Sequence, residues 1–153
     1  MRSTRLARNL VHNNSCSGNE QVRAFKKIIE ESVYPEHPEY SSVAGMAIAV
    51  RIFDAYKKSG GNQEGLIDLM LFFVECGSQF TIDYGDIDED FYTVLEDVFE
   101  EVLVLIKKSN IEIFERYRER LYCIAEETRE IGWGYGDQIR DLLIMNFPDF
   151  FKK

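Results

Sequence analysis

Residues 63–80, QEGLIDLMLFFVECGSQF, constrain the fold more than any other stretch of this chain. Their polar positions, Glu64, Asp68, Glu75 and Gln79, step by four, seven and four. At 3.6 residues per turn these fall on one narrow stripe of a helix. The rest of the circumference is Leu, Ile, Met, Phe and Val. A helix that is apolar over so much of its surface must be surrounded by other elements. The spacing therefore predicts a central helix with the remaining chain packed around it. Its most apolar run, LIDLMLFFV at 66–74, carries Asp68 and is far shorter than the roughly 20 residues that cross a bilayer, so no membrane role is expected.

The flanking segments supply the packing partners. Val22, Phe25, Ile28, Ile29 and Val33 recur at helical spacing over 20–33, and Pro35 and Pro38 forbid continuation. A second helix over 42–58 is apolar nearly all round from Val43 to Val50 and stops at Ser59-Gly60-Gly61. After Gly85, Asp86 or Asp88 can cap a helix reaching Lys108, with Phe91, Leu95, Val98, Phe99, Val102 and Ile106 among its inward residues. Ser109 and Glu112 have capping-box spacing ahead of a fifth helix, which runs to Ile131 with Gly132 at its end. Asp137 is expected to cap a short last helix over 138–147, before Pro148. Sustained period-two alternation and hairpin signals are absent. The expectation is an all-α fold: about six mostly antiparallel helices in a single bundle or a short helical-hairpin stack, without sequence repeats.

Length and composition agree with one domain. The chain has 153 residues, of which 45% are hydrophobic and 13% aromatic, enough to fill a core and to exclude disorder of the whole chain. Residues 1–18 read as a polar, basic lead-in containing Arg2, Arg5 and Arg8 and no acid, and 19–153 as a single helical domain. Beyond that lead-in, the remaining 15 of the 18 basic residues stand against all 27 acidic ones. So acidic a domain repels phosphates, which argues against nucleic acid and anionic membranes as partners. Cys16, Cys76 and Cys123 are too widely spaced for a CxxC metal pair or a disulfide framework, which suits a reducing cytoplasm.

Two stretches carry a resemblance. GLIDLMLFFVECGSQFTIDYGDIDEDFY at 65–92 and IGWGYGDQIRDL at 131–142 contain, in order, DLM-x-x-x-VE-x-G, YGDIDE-x-FY and GWG-x-x-D segments. These resemble a family of uncharacterised bacterial proteins, a domain of unknown function. The likeness extends over roughly 20–147, although Val50 stands where that family leads one to expect Lys. The resemblance implies an all-helical cytoplasmic bacterial protein and carries over no activity and no catalytic residue.

The residues themselves offer few chemical constellations. Asp86, Asp88 and Asp90 match positions 1, 3 and 5 of a calcium loop, but Phe91 occupies the position that requires Gly, and helix capping explains the acids better. Asp68 and Glu75 are two turns apart, about 10 Å along one helix. Such a pair can serve acid–base or metal chemistry if another helix adds ligands, but no Glu-x-x-His pair accompanies it. The plainer reading is a solvent-facing stripe, or bridges to Arg51 or Lys57. His12 and His37 lie in polar or proline-bounded stretches without a catalytic partner pattern. GWGYG follows a helix rather than a strand, so it is a helix connection and not a dinucleotide cradle. Trp133, the single Trp, either plugs the core or marks a binding surface. The candidate functional surface is thus Asp68, Glu75, Asp86, Trp133 and Asp137, with no catalytic residue, metal or cofactor assigned. The expected role is a non-enzymatic helical protein-interaction or scaffold module, self-association included, because the apolar segments 42–53 and 66–74 are hard to bury in six short helices. The alternatives are a metal-dependent enzyme built on Asp68, Glu75 and Asp86, and an acidic, immunity-like inhibitor of a basic partner.

Overall fold

Several helix ends in this chain are set by backbone or side-chain groups that satisfy the orphan groups of the terminus. In the computed structural model, which describes residues 20–33, 41–84, 89–129, 131 and 135–152, six helices form among those residues, and no strand does. They are α1 (Glu20–Val33), α2 (Ser41–Lys58), α3 (Gln63–Tyr84), α4 (Glu89–Lys108), α5 (Ile111–Glu127) and α6 (Tyr135–Asn146). The helix α2 ends in a Schellman motif: Gly60 N–H bonds the Lys57 carbonyl at 3.1 Å and Gly61 N–H the Tyr56 carbonyl at 3.1 Å. Gly60 sits at φ 82°, a left-handed conformation that glycine alone adopts without strain. Asn62 then caps α3, its Oδ1 accepting from Gly65 N–H at 2.7 Å.

Several boundaries differ from the sequence expectation. The helix α3 continues past Phe80 to Tyr84. The cap of α5 is Asn110, whose Oδ1 accepts from Ile113 N–H at 3.0 Å. Ser109 instead closes α4 by donating to the Leu105 carbonyl at 2.8 Å, so the spacing of Ser109 and Glu112 misled. The helix α5 stops at Glu127, short of Ile131, with Thr128 donating both its N–H and its hydroxyl to the Ile124 carbonyl. The helix α6 starts at Tyr135, which places Asp137 in its first turn rather than at its cap.

Side-chain contacts fix the directions. Gln21 at the start of α1 donates to Ser59 just beyond α2, and Gln63 at the start of α3 donates to Ser109 just beyond α4. Phe114 near the start of α5 lies 4.8 Å from Phe147, which follows α6. Each of these pairs is antiparallel. Glu64 and Arg116, both near helix starts, bind each other, so α3 and α5 run parallel. The result is an all-α bundle of packed helices in which α3 contacts α1, α2, α4 and α5.

The helix α3 is the centre of that bundle. From Leu66 to Thr81 every residue except Asp68 is buried. It is long and apolar enough to cross a bilayer by length and composition, but 83% of that stretch is covered by the rest of the chain. The expectation that 66–74 needs a partner copy for burial is therefore overturned, since the bundle buries it alone. Most side chains of 42–49 lie outside the described residues; beyond them Val50 is exposed and Ile52 and Phe53 are buried.

The start of α6 is seated directly on the end of α5. Tyr135 is fully buried, shares a 2.8 Å hydroxyl hydrogen bond with Ser78, and lies 5.3 Å from the Tyr92 ring. A Cβ on Gly136 would overlap the Thr128 carbonyl oxygen and come within 2.9 Å of the Arg129 Cα. Backbone atoms cannot step aside as a side chain can, so this glycine serves close approach rather than a turn. Gly136→Ala is expected to destabilise the protein by about 3 kcal/mol, read as a lower urea midpoint at unchanged slope.

Candidate functional site

The polar stripe of α3 runs from the surface into the interior. Glu64 is half-buried, the Asp68 side chain is 18% exposed, and Glu75 is fully buried. Two cations meet this stripe from opposite helices. Lys26 stands on the buried face of α1 with Val22, Ile29 and Val33. Arg120 stands on the inner face of α5, one turn from both Tyr117 and Ile124. Their helical register places each cation where an apolar side chain is otherwise expected.

The four groups form a closed ionic cluster. Arg120 grips Glu75 with two bonds, Nε to Oε2 at 3.1 Å and Nη2 to Oε1 at 2.5 Å. Its Nη1 donates to Asp68 Oδ1 at 2.7 Å. That same oxygen lies 2.9 Å from Lys26 Nζ. The guanidinium also sits 5.4 Å over the Tyr117 ring, and the ammonium 5.3 Å over the Phe72 ring. Two positive and two negative charges balance, so the interior holds no net charge. Outside the cluster, exposed Arg116 binds half-buried Glu64 through two bonds at 3.0 and 2.7 Å. Inward, Gln79 donates to Asp83 at 2.9 Å.

Burial and pairing pull the titrating groups in opposite directions. Burial lowers the Lys26 ammonium below its usual range, and the Asp68 charge only partly offsets this. Burial likewise works against the charge of Arg120, but Glu75 and then Asp68 outweigh it and hold the guanidinium protonated. Burial, then the Asp68 carboxylate, push the Tyr117 phenol well up, and burial does the same to Tyr135.

Of the sequence candidates, the structure brings Asp68 and Glu75 together, through Arg120. They are neither a solvent-facing pair nor bridged to Arg51 or Lys57, both of which are exposed. Asp137 is exposed in the first turn of α6 and stands apart from this cluster. Asp86 and Trp133 lie outside the described residues. The residues missed from sequence are Lys26 and Arg120. Their signal was positional: a basic residue inside an otherwise apolar helical stripe, in a bundle whose central helix carries buried acids. Both Glu75 oxygens and Asp68 Oδ1 are directed at protein cations, so metal or proton-transfer chemistry there would first require those contacts to break. Among the described residues no group of three or more His, Cys, Asp or Glu is placed to hold a metal ion. Comparison with protein-family models, curated proteins and solved structures finds no match for this chain.

Removing one member of a buried ion cluster leaves its partners uncompensated. Arg120→Met is therefore expected to destabilise the fold by about 3–5 kcal/mol in chemical denaturation. The double variant Lys26→Met/Asp68→Leu removes one charge of each sign and leaves the Arg120–Glu75 pair intact. It is expected to be neutral, or more stable by about 1–4 kcal/mol. A second set of measurements follows from the tyrosines. A phenol whose pKa is raised on folding contributes stability that is fully present below the unfolded value near 10 and is lost as pH rises through the folded value. Wild-type stability should fall above pH ~10, and Tyr117→Phe should make that decline shallower by about 1.4 kcal/mol per pH unit.

Proposed function

We propose that the chain is a non-enzymatic helical interaction module that acts through the outer surface of its bundle. One observation carries this reading: the carboxylate pair that the sequence offers for chemistry, Asp68 and Glu75, is bound by Arg120 and Lys26 as an internal joint between α1, α3 and α5. The bundle spends its best candidate active-site groups on holding itself together. Apolar side chains meanwhile stand outside it, including Ile111 at 68% and Met145 at 69% exposure. Cytoplasmic residence fits, because Cys76 and Cys123 are buried cysteines outside any disulfide. The bacterial family resemblance of 65–92 and 131–142 stands beside this reading and adds no activity to it.

A second reading has its own support. Asp97, Glu100 and Glu101 are exposed along α4, and burial together with the Asp97 charge raises the carboxyl of neighbouring Glu96. Crowded acids of this kind would favour a basic protein partner, as in an inhibitor or immunity-like protein.

Thermal melts with Mn²⁺, Mg²⁺, Ca²⁺ and Zn²⁺ separate these readings from a metal-dependent enzyme. An interaction module should melt at the same temperature with and without each ion. A rise of several degrees with one ion, abolished in Glu75→Gln, would overturn the proposal.

A further inference from the structure

The outward face of α5 and the segment after α6 enclose two adjoining hollows that share Arg118 and Phe150. Together they follow α5 from Phe114 to Glu126, about 18 Å at the helical rise. The floor is aromatic: Phe150 lies 6.1 Å from Phe114 and 5.0 Å from Phe151, and Tyr122 lies 6.2 Å from Phe151. Arg118 lies over both Phe114 and Phe150, at 5.7 and 5.6 Å, and Arg140 lies over Phe151 at 4.0 Å. At one end, where Phe114 meets Phe147, α5 begins with exposed Ile111 and α6 finishes beside exposed Met145.

The charge of this groove suits a second copy of the chain. The whole chain carries a net charge of -9, so two copies repel each other over most of their surfaces. In the larger hollow, Arg118, Arg140 and Lys152 balance Glu115, Glu119 and Glu126, so that repulsion is cancelled locally. The signs also alternate along the helix, with Glu115 and Glu119 either side of Arg118. An isologous contact pairs residue i with j and j with i. Two copies of α5 laid antiparallel, with the two-fold axis between positions 116 and 117, bring each Arg118 against Glu115 of the other copy. The existing Arg118–Glu115 bridge is long, 3.7 Å, with side chains 45% and 57% exposed. Exchanging so loose a bridge for one between chains costs little.

We propose that this groove is a self-association surface, occupied by a second copy of the chain paired along α5 through a two-fold axis. The proposal rests on the reading of the protein as an interaction module and specifies its partner. Alternating charges set the antiparallel register, and half-buried Phe114, Phe147 and Phe151, with exposed Ile111 and Met145 within three residues of the first two, supply the apolar area to be buried.

Sedimentation velocity on the full chain, from low micromolar to near-millimolar concentration, tests it. The wild type should shift from monomer to dimer mass with rising concentration. Arg118→Glu and Glu115→Arg should each weaken the dimer about tenfold or more, and combining the two swaps should restore it. Met145→Glu should also weaken it, at an unchanged melting temperature. A wild type that stays monomeric throughout, or a dimer that both Arg118→Glu and Met145→Glu leave intact, would overturn the assignment of this groove to a second copy. Neither result bears on the metal-shift experiment, so failure of the dimer and failure of the interaction-module reading are distinguishable.

Discussion

The grip of Arg120 on Glu75 and Asp68 organises the rest of the bundle. Glu75 is fully buried on the central helix, and a buried carboxylate without a counter-ion is costly enough to disfavour the fold around it. Its partner must come from another helix, in one register, because the planar guanidinium bonds a carboxylate through two fixed donors. The helix α5 therefore cannot slide along α3 without breaking both bonds to Glu75 and the third to Asp68. Lys26 extends the same restriction to α1 by sharing Asp68 Oδ1.

This arrangement separates the sources of stability and of order in the fold. Free energy comes mainly from apolar burial around α3, where contacts such as Phe53–Phe73 and Phe80–Phe91 fill the space between helices. Such contacts tolerate sliding, since one large apolar residue packs nearly as well as another. The ionic cluster adds little net stability by itself, because desolvation consumes much of its Coulombic gain. Its contribution is geometric, tying α1, α3 and α5 at one level of the bundle. The close seating of Gly136 on Thr128 does the same for α6 by shape alone.

On the proposed reading, a bundle closed internally in this way acts through its outer faces. The α4 face is acidic, whereas the larger hollow beside α5 is lined by aromatic and charge-balanced residues. On the proposed readings the first face takes a basic protein and the second a second copy. Both readings draw on surface residues, and neither uses the buried carboxylates.

Much of the fold was legible in the sequence. Apolar periodicity identified each of the six helices among the described residues, and Gly60 stopped α2 where expected, because these signals are local and each is satisfied within a turn or two of chain. Boundaries slipped where two cap signals competed, as with Ser109 and Asn110, since a side chain can serve the helix behind it or the one ahead. The four-residue polar stripe of α3 was equally visible, but its meaning was not. Whether such a stripe faces water or the interior depends on what stands opposite, and that is decided by residues 42 or more positions away in the chain. Sequence alone determined that this is an acidic, all-helical chain built round one apolar helix. Only the tertiary structure decided that its carboxylates form a structural joint, because Coulombic pairing depends on distance in space and the nearest cations lie on other helices.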